Sequence, residues 1–326
     1  MIVFYRTAVR VVIRDGVMSD GRESCTDPCP STVITVGVVA FNEGKSIARA
    51  LKSIQLAIRQ VGGAVELIVV LTGCTDQTEA EALSVLSGQP NGRLISVPLR
   101  MSKCAALNVV KAHANGRILM FFDADLVIDD NAIMAFSEAY AKDSRLTVAF
   151  GRMVPLAGTS HLWTAVGEWT AAALDAIRRL PDGSGLWLVC GSIFAVRVDA
   201  WTPFPDGIMS DDLYLGLSAQ SRGLYVRYLP QAIAYGRYPQ NLGDYTAQKL
   251  RNRFARIQLR MLPGQQFRHT PIWFGPFALR RLGWDTFRHL PILLIDGLLS
   301  AVALIQWIFG RRAGAFWGQV ASTKLD

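Results

Sequence analysis

The chain has 326 residues, 51% of them hydrophobic and 18% charged, and a formal net charge of +8. It is long enough for one large α/β domain with appendages, and too apolar to be disordered, collagenous or a disulfide scaffold. Five cysteines without a Cys-x-x-Cys pair argue against a disulfide framework and a structural zinc site, and suit a reducing compartment.

Residues 1–32 lack sustained periodicity and end in Cys25-Thr26-Asp27-Pro28-Cys29-Pro30-Ser31, a run of turn formers. They are expected to be a poorly ordered extension outside the fold. Arg6 and Arg10 interrupt the apolar runs at the amino terminus, which therefore lacks the form of a secretory signal, and no export is expected.

Val33 to Phe41 is a nearly continuous apolar run of the kind a buried parallel strand shows, and Ile47, Leu51, Ile54, Ile58 and Val61 then recur at helical spacing. The alternation continues with strand 65–71, helix 78–86, strand 94–97, helix 104–114, strand 117–122 and helix 131–141. Alternating units with short links predict an α/β, doubly wound mixed sheet with helices on both faces, whose ligand sits outside the carboxyl ends of the strands. Downstream the pattern loosens, with a helix over 164–178, an apolar segment over 189–197 and a helix starting at Asp211-Asp212.

The positive charge is concentrated at the carboxy terminus. From Arg237 onward there are 13 Lys and Arg against four Asp and Glu, whereas the preceding residues are close to neutral. An acidic membrane surface or a phosphate-bearing ligand would feel that field. Nucleic acid is disfavoured, because the same segment is crowded with Trp, Phe, Leu and Pro and leads into the apolar run Leu290 to Gly310. That run is 21 residues long, with Asp296, Ser300 and Gln306 as its polar side chains. Its length matches the ~20 residues of a membrane-crossing helix. The narrow polar stripe suits a spanning or protein-buried helix better than an interfacial one, so 290–310 is a candidate transmembrane helix within a basic and aromatic segment, 263–326.

The strand ends carry the chemistry. The first ends in Phe41-Asn42-Glu43-Gly44, the second in Thr72-Gly73-Cys74-Thr75-Asp76-Gln77-Thr78 and the fourth in Asp123-Ala124-Asp125. Neither a Gly-x-Gly-x-x-Gly turn nor a phosphate-binding Gly-x-x-x-x-Gly-Lys-Ser/Thr loop occurs, so a phosphate must be held another way. Asp123 and Asp125 at a strand mouth are hard oxygen ligands for Mg²⁺ or Mn²⁺, which can bridge to a diphosphate. Asp211 and Asp212 lie in the first turn of a helix, where two readings stand side by side. They are acids favoured by the helix dipole, or they hold a general base for a hydroxyl nucleophile.

Taken in order, these segments resemble the inverting nucleotide-sugar glycosyltransferases of family 2, which have the GT-A fold. The matching residues are Val39-Ala40-Phe41-Asn42-Glu43, Gly73 to Thr78, Lys103 to Asn108, Asp123-Ala124-Asp125, Cys190-Gly191-Ser192 with Arg197, Asp211-Asp212, and Gln248-Lys249-Leu250-Arg251, a resemblance that covers about 33–260 of an expected GT-A domain over 33–262. The resemblance implies a nucleoside-binding edge of Phe41, Asn42, Glu43 and Asp76, with Lys103 a charge partner near the nucleotide. It implies a metal and diphosphate site at Asp123 and Asp125, Asp212 as catalytic base beside Asp211, and Gln248 and Arg251 near acceptor and diphosphate. It departs from the family pattern where Leu71-Thr72 replaces acids, where Asp211 replaces Glu, and where Asn252 replaces the Trp of Gln-x-x-Arg-Trp.

The implied activity is metal-dependent, non-processive transfer of a sugar from a nucleotide-diphosphate donor, a UDP-sugar favoured, to a lipid or glycan hydroxyl. The expected setting is a membrane surface with the catalytic domain cytoplasmic. A processive polysaccharide synthase and a catalytically silent membrane scaffold are the alternatives. His113, His161, His269 and His289 show no ligand spacing, and Cys74 and Cys104 have no His partner at a motif spacing, so structural roles are expected for all six. Trp163, Trp169 and Trp187 read as core or as a sugar-stacking wall.

Overall fold

The computed structural model describes residues 12–15, 34–61, 65–87, 89, 91–180, 183, 185–262 and 290–309. Its centre is the parallel set β2 (Ile34–Ala40), β3 (Val65–Thr72), β4 (Gly92–Val97) and β5 (Ile118–Asp123). Every residue of β2 and β3 is buried. Because successive strand residues point to opposite faces, this means that both faces are covered, which is why these strands read as unbroken apolar runs. The cover comes from α1 (Ile47–Val61), α2 (Thr78–Leu86), α3 (Lys103–His113) and α4 (Ala132–Lys142), with α3 lying on β2 and β3.

Beyond β5 the sheet changes direction. The strands on that side are β6 (Val127–Ile128), β7 (Val148–Pro155), β8 (Ile193–Arg197) and β9 (Val226–Gly236), while β1 (Val12–Asp15) lies at the opposite edge beside β4. The described residues form one nine-stranded mixed sheet in the order β1-β4-β3-β2-β5-β8-β7-β9-β6. β8 is antiparallel to both β5 and β7, while β7 and β9 run parallel with a register shift between Phe150 and Arg152. Helices α5 (His161–Arg178), α6 (Asp211–Ser221) and α7 (Leu242–Arg260) complete this half.

The end of the sheet away from the strand mouths is locked by a buried carboxylate. Glu66 accepts from Thr35 Oγ1 at 2.7 Å and from Asn115 N and Nδ2 at 3.0 and 2.9 Å, which ties the α3–β5 turn to β2 and β3.

Two expectations are corrected. The extension 1–32 does not stand wholly outside the fold, since Val12–Asp15 pairs antiparallel with β4 and covers its edge. An edge strand presents unpaired backbone groups, so four residues of matching register suffice to add to it. Secondly, the carboxy-terminal run does form a helix, α8 (Leu290–Ile308), but among the described residues no helix is long and apolar enough to cross a membrane. Leu299 and Ala303 of α8 are buried, and the helix packs along α7. The rest of 263–326 lies outside the described residues.

Candidate active site

The mouths of β2, β3 and β5, the entry to β8, and helices α3, α6 and α7 enclose one open cleft. Its wall includes Phe41, Glu43, Lys103, Asp123, Asp125, Asp211, Asp212, Gln248 and Arg251.

At its base sits a buried lysine. Ser102 caps α3 by accepting from Ala105 N at 3.2 Å, which makes Lys103 the first helical residue. Its ammonium lies 2.6 Å from Asp123 Oδ1 and 3.1 Å from Asp211 Oδ2, and donates to the Gly191 carbonyl at 2.9 Å. The lysine side chain is only 6% exposed. Burial alone would favour its neutral form, yet Asp123 and then Asp211 outweigh that and raise its pKa, so it is a permanent cation.

Asp211 is pushed up to about 6, first by burial and then by the nearby Asp212 and Asp123 charges, against the pull of Lys103. One ammonium shared with Asp123 leaves Asp211 incompletely compensated.

Asp212 is held by its own surroundings. Its Oδ1 accepts from Ser210 Oγ and from Leu213 N, the latter at 2.8 Å. A Cβ on Gly191 would lie 2.8 Å from Asp212 Cβ, so glycine there lets the start of α6 close on the β8 entry. Gln258 of α7 steadies the preceding loop, accepting from Met209 N at 3.0 Å and donating to the Gly207 carbonyl at 2.7 Å. Arg251 also faces this carboxylate group. Burial lowers its pKa, opposed by Asp212, Asp211 and Asp123.

The four residues expected at a nucleoside edge divide into two pairs. Phe41 and Glu43 line the cleft, whereas Asn42 and Asp76 stitch the β2 and β3 loops together and are not in its wall. Asn42, at φ 52°, accepts from Thr75 N at 2.8 Å. Asp76 accepts from Thr78 N, Thr78 Oγ1 and Gly44 N. Those bonds hold its carboxyl below the ordinary range despite the opposing effect of burial. Both residues therefore fix the loops that follow β2 and β3. The sequence reading missed Arg100, whose guanidinium lies 4.1 Å above the Phe41 ring, and also Arg237 and Tyr238 in the wall beyond β9. A cation three residues before Lys103 was the available signal for Arg100.

Asp123 ends β5 and Asp125 follows in the turn, both inside this wall, and a hard carboxylate pair of that kind fits Mg²⁺ or Mn²⁺. Among the described residues no cluster of three or more His, Cys, Asp or Glu could hold a metal alone. That is compatible with such an ion, which takes one or two carboxylates and completes its shell with substrate phosphates and water. Cys104 is inert, since burial raises its thiol pKa. His113 bonds back to Val109 O within α3, and no Trp lines the cleft among the described residues.

A mixed sheet with carboxylates converging on its strand mouths suits a glycosyltransferase of GT-A-like fold. The chain belongs to the glycosyltransferase-like family 2, whose model matches residues 30–255. No curated protein matches the chain. Among solved structures, it is similar to a mannosyltransferase from Pyrobaculum calidifontis in complex with GDP-Man and Mn²⁺, at 18% identity and TM-score 0.58, covering 87% of this chain and 81% of that one. It is also similar to glucosyl-3-phosphoglycerate synthase from Mycobacterium tuberculosis in complex with Mn²⁺, UDP and phosphoglyceric acid, at 20% identity, TM-score 0.51 and coverage of 70% and 78%. A third is S. aureus TarS, at 14% identity, TM-score 0.50 and coverage of 73% and 68%.

Proposed function

We propose that the chain transfers a sugar from a nucleotide-diphosphate sugar to a single hydroxyl acceptor, with inversion at the anomeric carbon. The observation that carries this reading is Lys103, which draws the Asp123 strand end and the Asp211-Asp212 helix start into one site. Asp212, at the mouth of α6, accepts the proton of the incoming hydroxyl as its oxygen bonds to the anomeric carbon and the bond to the diphosphate breaks. Arg251 places a fixed cation against the departing diphosphate. Asp125, with Asp123 behind it, is the place for Mg²⁺ or Mn²⁺. When bound, the ion supplies Lewis-acid neutralisation of the leaving group.

The donor base is read at Phe41, Glu43 and Arg100, and a UDP-sugar is the first donor to test. GDP-Man, bound by the similar mannosyltransferase, is the second. Asn252 in place of the Trp of the Gln-x-x-Arg-Trp motif favours one transfer per encounter over processive extension. The carboxylates kept in the cleft speak against a silent scaffold. The basic carboxy terminus favours a membrane-associated enzyme with its catalytic domain cytoplasmic and a lipid-linked acceptor.

The test is a nucleotide-sugar panel assayed for hydrolysis and transfer, with and without divalent ion. Turnover should require the ion and vanish in Asp125→Ala with the fold retained. Full activity of that variant, or of the wild type in chelator, refutes the metal role. The absence of turnover with every donor refutes the enzyme reading.

A further inference from the structure

Among the described residues, helix α8 packs on the rest of the protein through one side. Leu299 and Ala303 are buried, whereas Leu294, Leu298, Ile305 and Ile308 are exposed by 66%, 65%, 53% and 69%. At about 100° per residue these four fall on one face, opposite Leu299 and Ala303. The exposed strip does not end with α8. Leu299 belongs to a small cluster with Val166 of α5 and Tyr245 of α7. Leu162 stands one turn before Val166 and Leu242 one turn before Tyr245, and both are exposed. Three helices thus place bare leucines around one cluster.

The surroundings are basic. Of the basic residues of α7, Arg251 faces the cleft and Arg253 is buried, which leaves the partly exposed Lys249, Arg256 and Arg260 against Asp244, and Lys249 Nζ lies 5.1 Å from the centre of the Tyr245 ring. A second copy of this chain would bring the same positive charge to the same patch and be repelled. An anionic lipid bilayer answers both features, with acyl chains beneath for the leucines and phosphate headgroups for the basic residues.

We propose that the outer face of α8, with the leucine rim of α5 and α7, lies flat on an anionic phospholipid bilayer. The same α7 that carries α8 supplies Gln248, Arg251 and Asn252 to the cleft, so the bilayer lies one helix from the catalytic wall. A lipid-borne hydroxyl would reach the site over that helix. This delivery role rests on the glycosyl-transfer reading, whereas bilayer binding does not.

The full chain is sedimented with phosphatidylcholine vesicles with and without phosphatidylserine, beside a Leu294→Glu, Leu298→Glu, Ile305→Glu variant. These residues are exposed, and unchanged nucleotide-sugar binding verifies that the variant is folded. The wild type should bind the anionic vesicles, less so as salt rises, and the variant should bind at least about tenfold more weakly. Equal binding by the two proteins, or no binding by the wild type, overturns the proposal. Concentration-dependent dimerisation that the variant abolishes overturns it in favour of a second copy. Vesicle binding without any sugar transfer sinks the glycosyl-transfer reading and leaves the docking surface standing.

Discussion

The ammonium of Lys103 lies 3.1 Å from the Asp211 carboxylate, and both side chains are more than nine-tenths buried. With Asp123 at 2.6 Å on the other side, this contact joins the strand mouth that carries the Asp-x-Asp pair to the helix that carries Asp212. Neither half of the site is placed without the other.

Lys103→Met is therefore expected to leave two buried carboxylates without their cation. The cost should be about 3–5 kcal/mol of stability, with turnover lost. Urea unfolding at neutral pH measures it, and a variant as stable as the wild type would show that the ion pair holds nothing together.

The raised pKa of Asp211 has a defined pH consequence. Its folded value of about 6 lies above the 3.8 of an ordinary aspartate, so folding favours the protonated form. The group's contribution to stability is complete below pH ~4 and is lost as pH climbs through ~6. Relative to Asp211→Asn, the wild type should lose on the order of 2 kcal/mol across that window and then level off. Parallel stability curves for the two proteins from pH 4 to 7 would rule this out.

Asp212→Asn keeps the shape of the side chain but cannot take a proton. Donor affinity should be retained while kcat falls by about 10²-fold or more. If the donor dissociation constant rises and kcat stands, the residue binds donor instead.

Gly73 sits at φ 60°, and a Cβ there would lie 2.6 Å from Arg100 N. Gly73→Ala must push the Arg100 segment away from Phe41. A destabilisation of about 1–3 kcal/mol is expected, with a donor KM that rises more than kcat falls. An unchanged KM would remove Arg100 and Phe41 from the nucleoside edge.

The central strands and helices from Ile34 to Lys142 were legible to within about two residues, as were the end of β8 and the start of α6. The reason is local. A strand buried on both faces is apolar at every position, a helix repeats every three to four residues, and the carboxylates at the strand ends interrupt those runs visibly. The convergence of Phe41 and Asp123 on one cleft followed from the rule that parallel strands present their carboxyl ends together, whereas Asp212, at a helix start outside that parallel set, was expected there only from the resemblance. The strands of the second half were harder to read, because β7 and β9 pair across a long insertion and a register shift.

Tertiary structure alone decided three matters. Val12–Asp15 became an edge strand because β4 offered it a free edge of matching register. Asn42 and Asp76 became stitches between loops, since Thr75 comes within 2.8 Å of Asn42, and Gly44 within 3.1 Å of Asp76, only once β2 and β3 are paired. For Leu290–Ile308, hydrophobicity permitted a spanning or a packed helix, and contact with α7 along one side selected the packed form. Apolar periodicity is a property of neighbours in sequence and survives in the sequence as a pattern. The pairing of Lys103 with Asp123 and Asp211 depends on which strand mouths and helix starts the chain crossings bring together, and no local pattern records it.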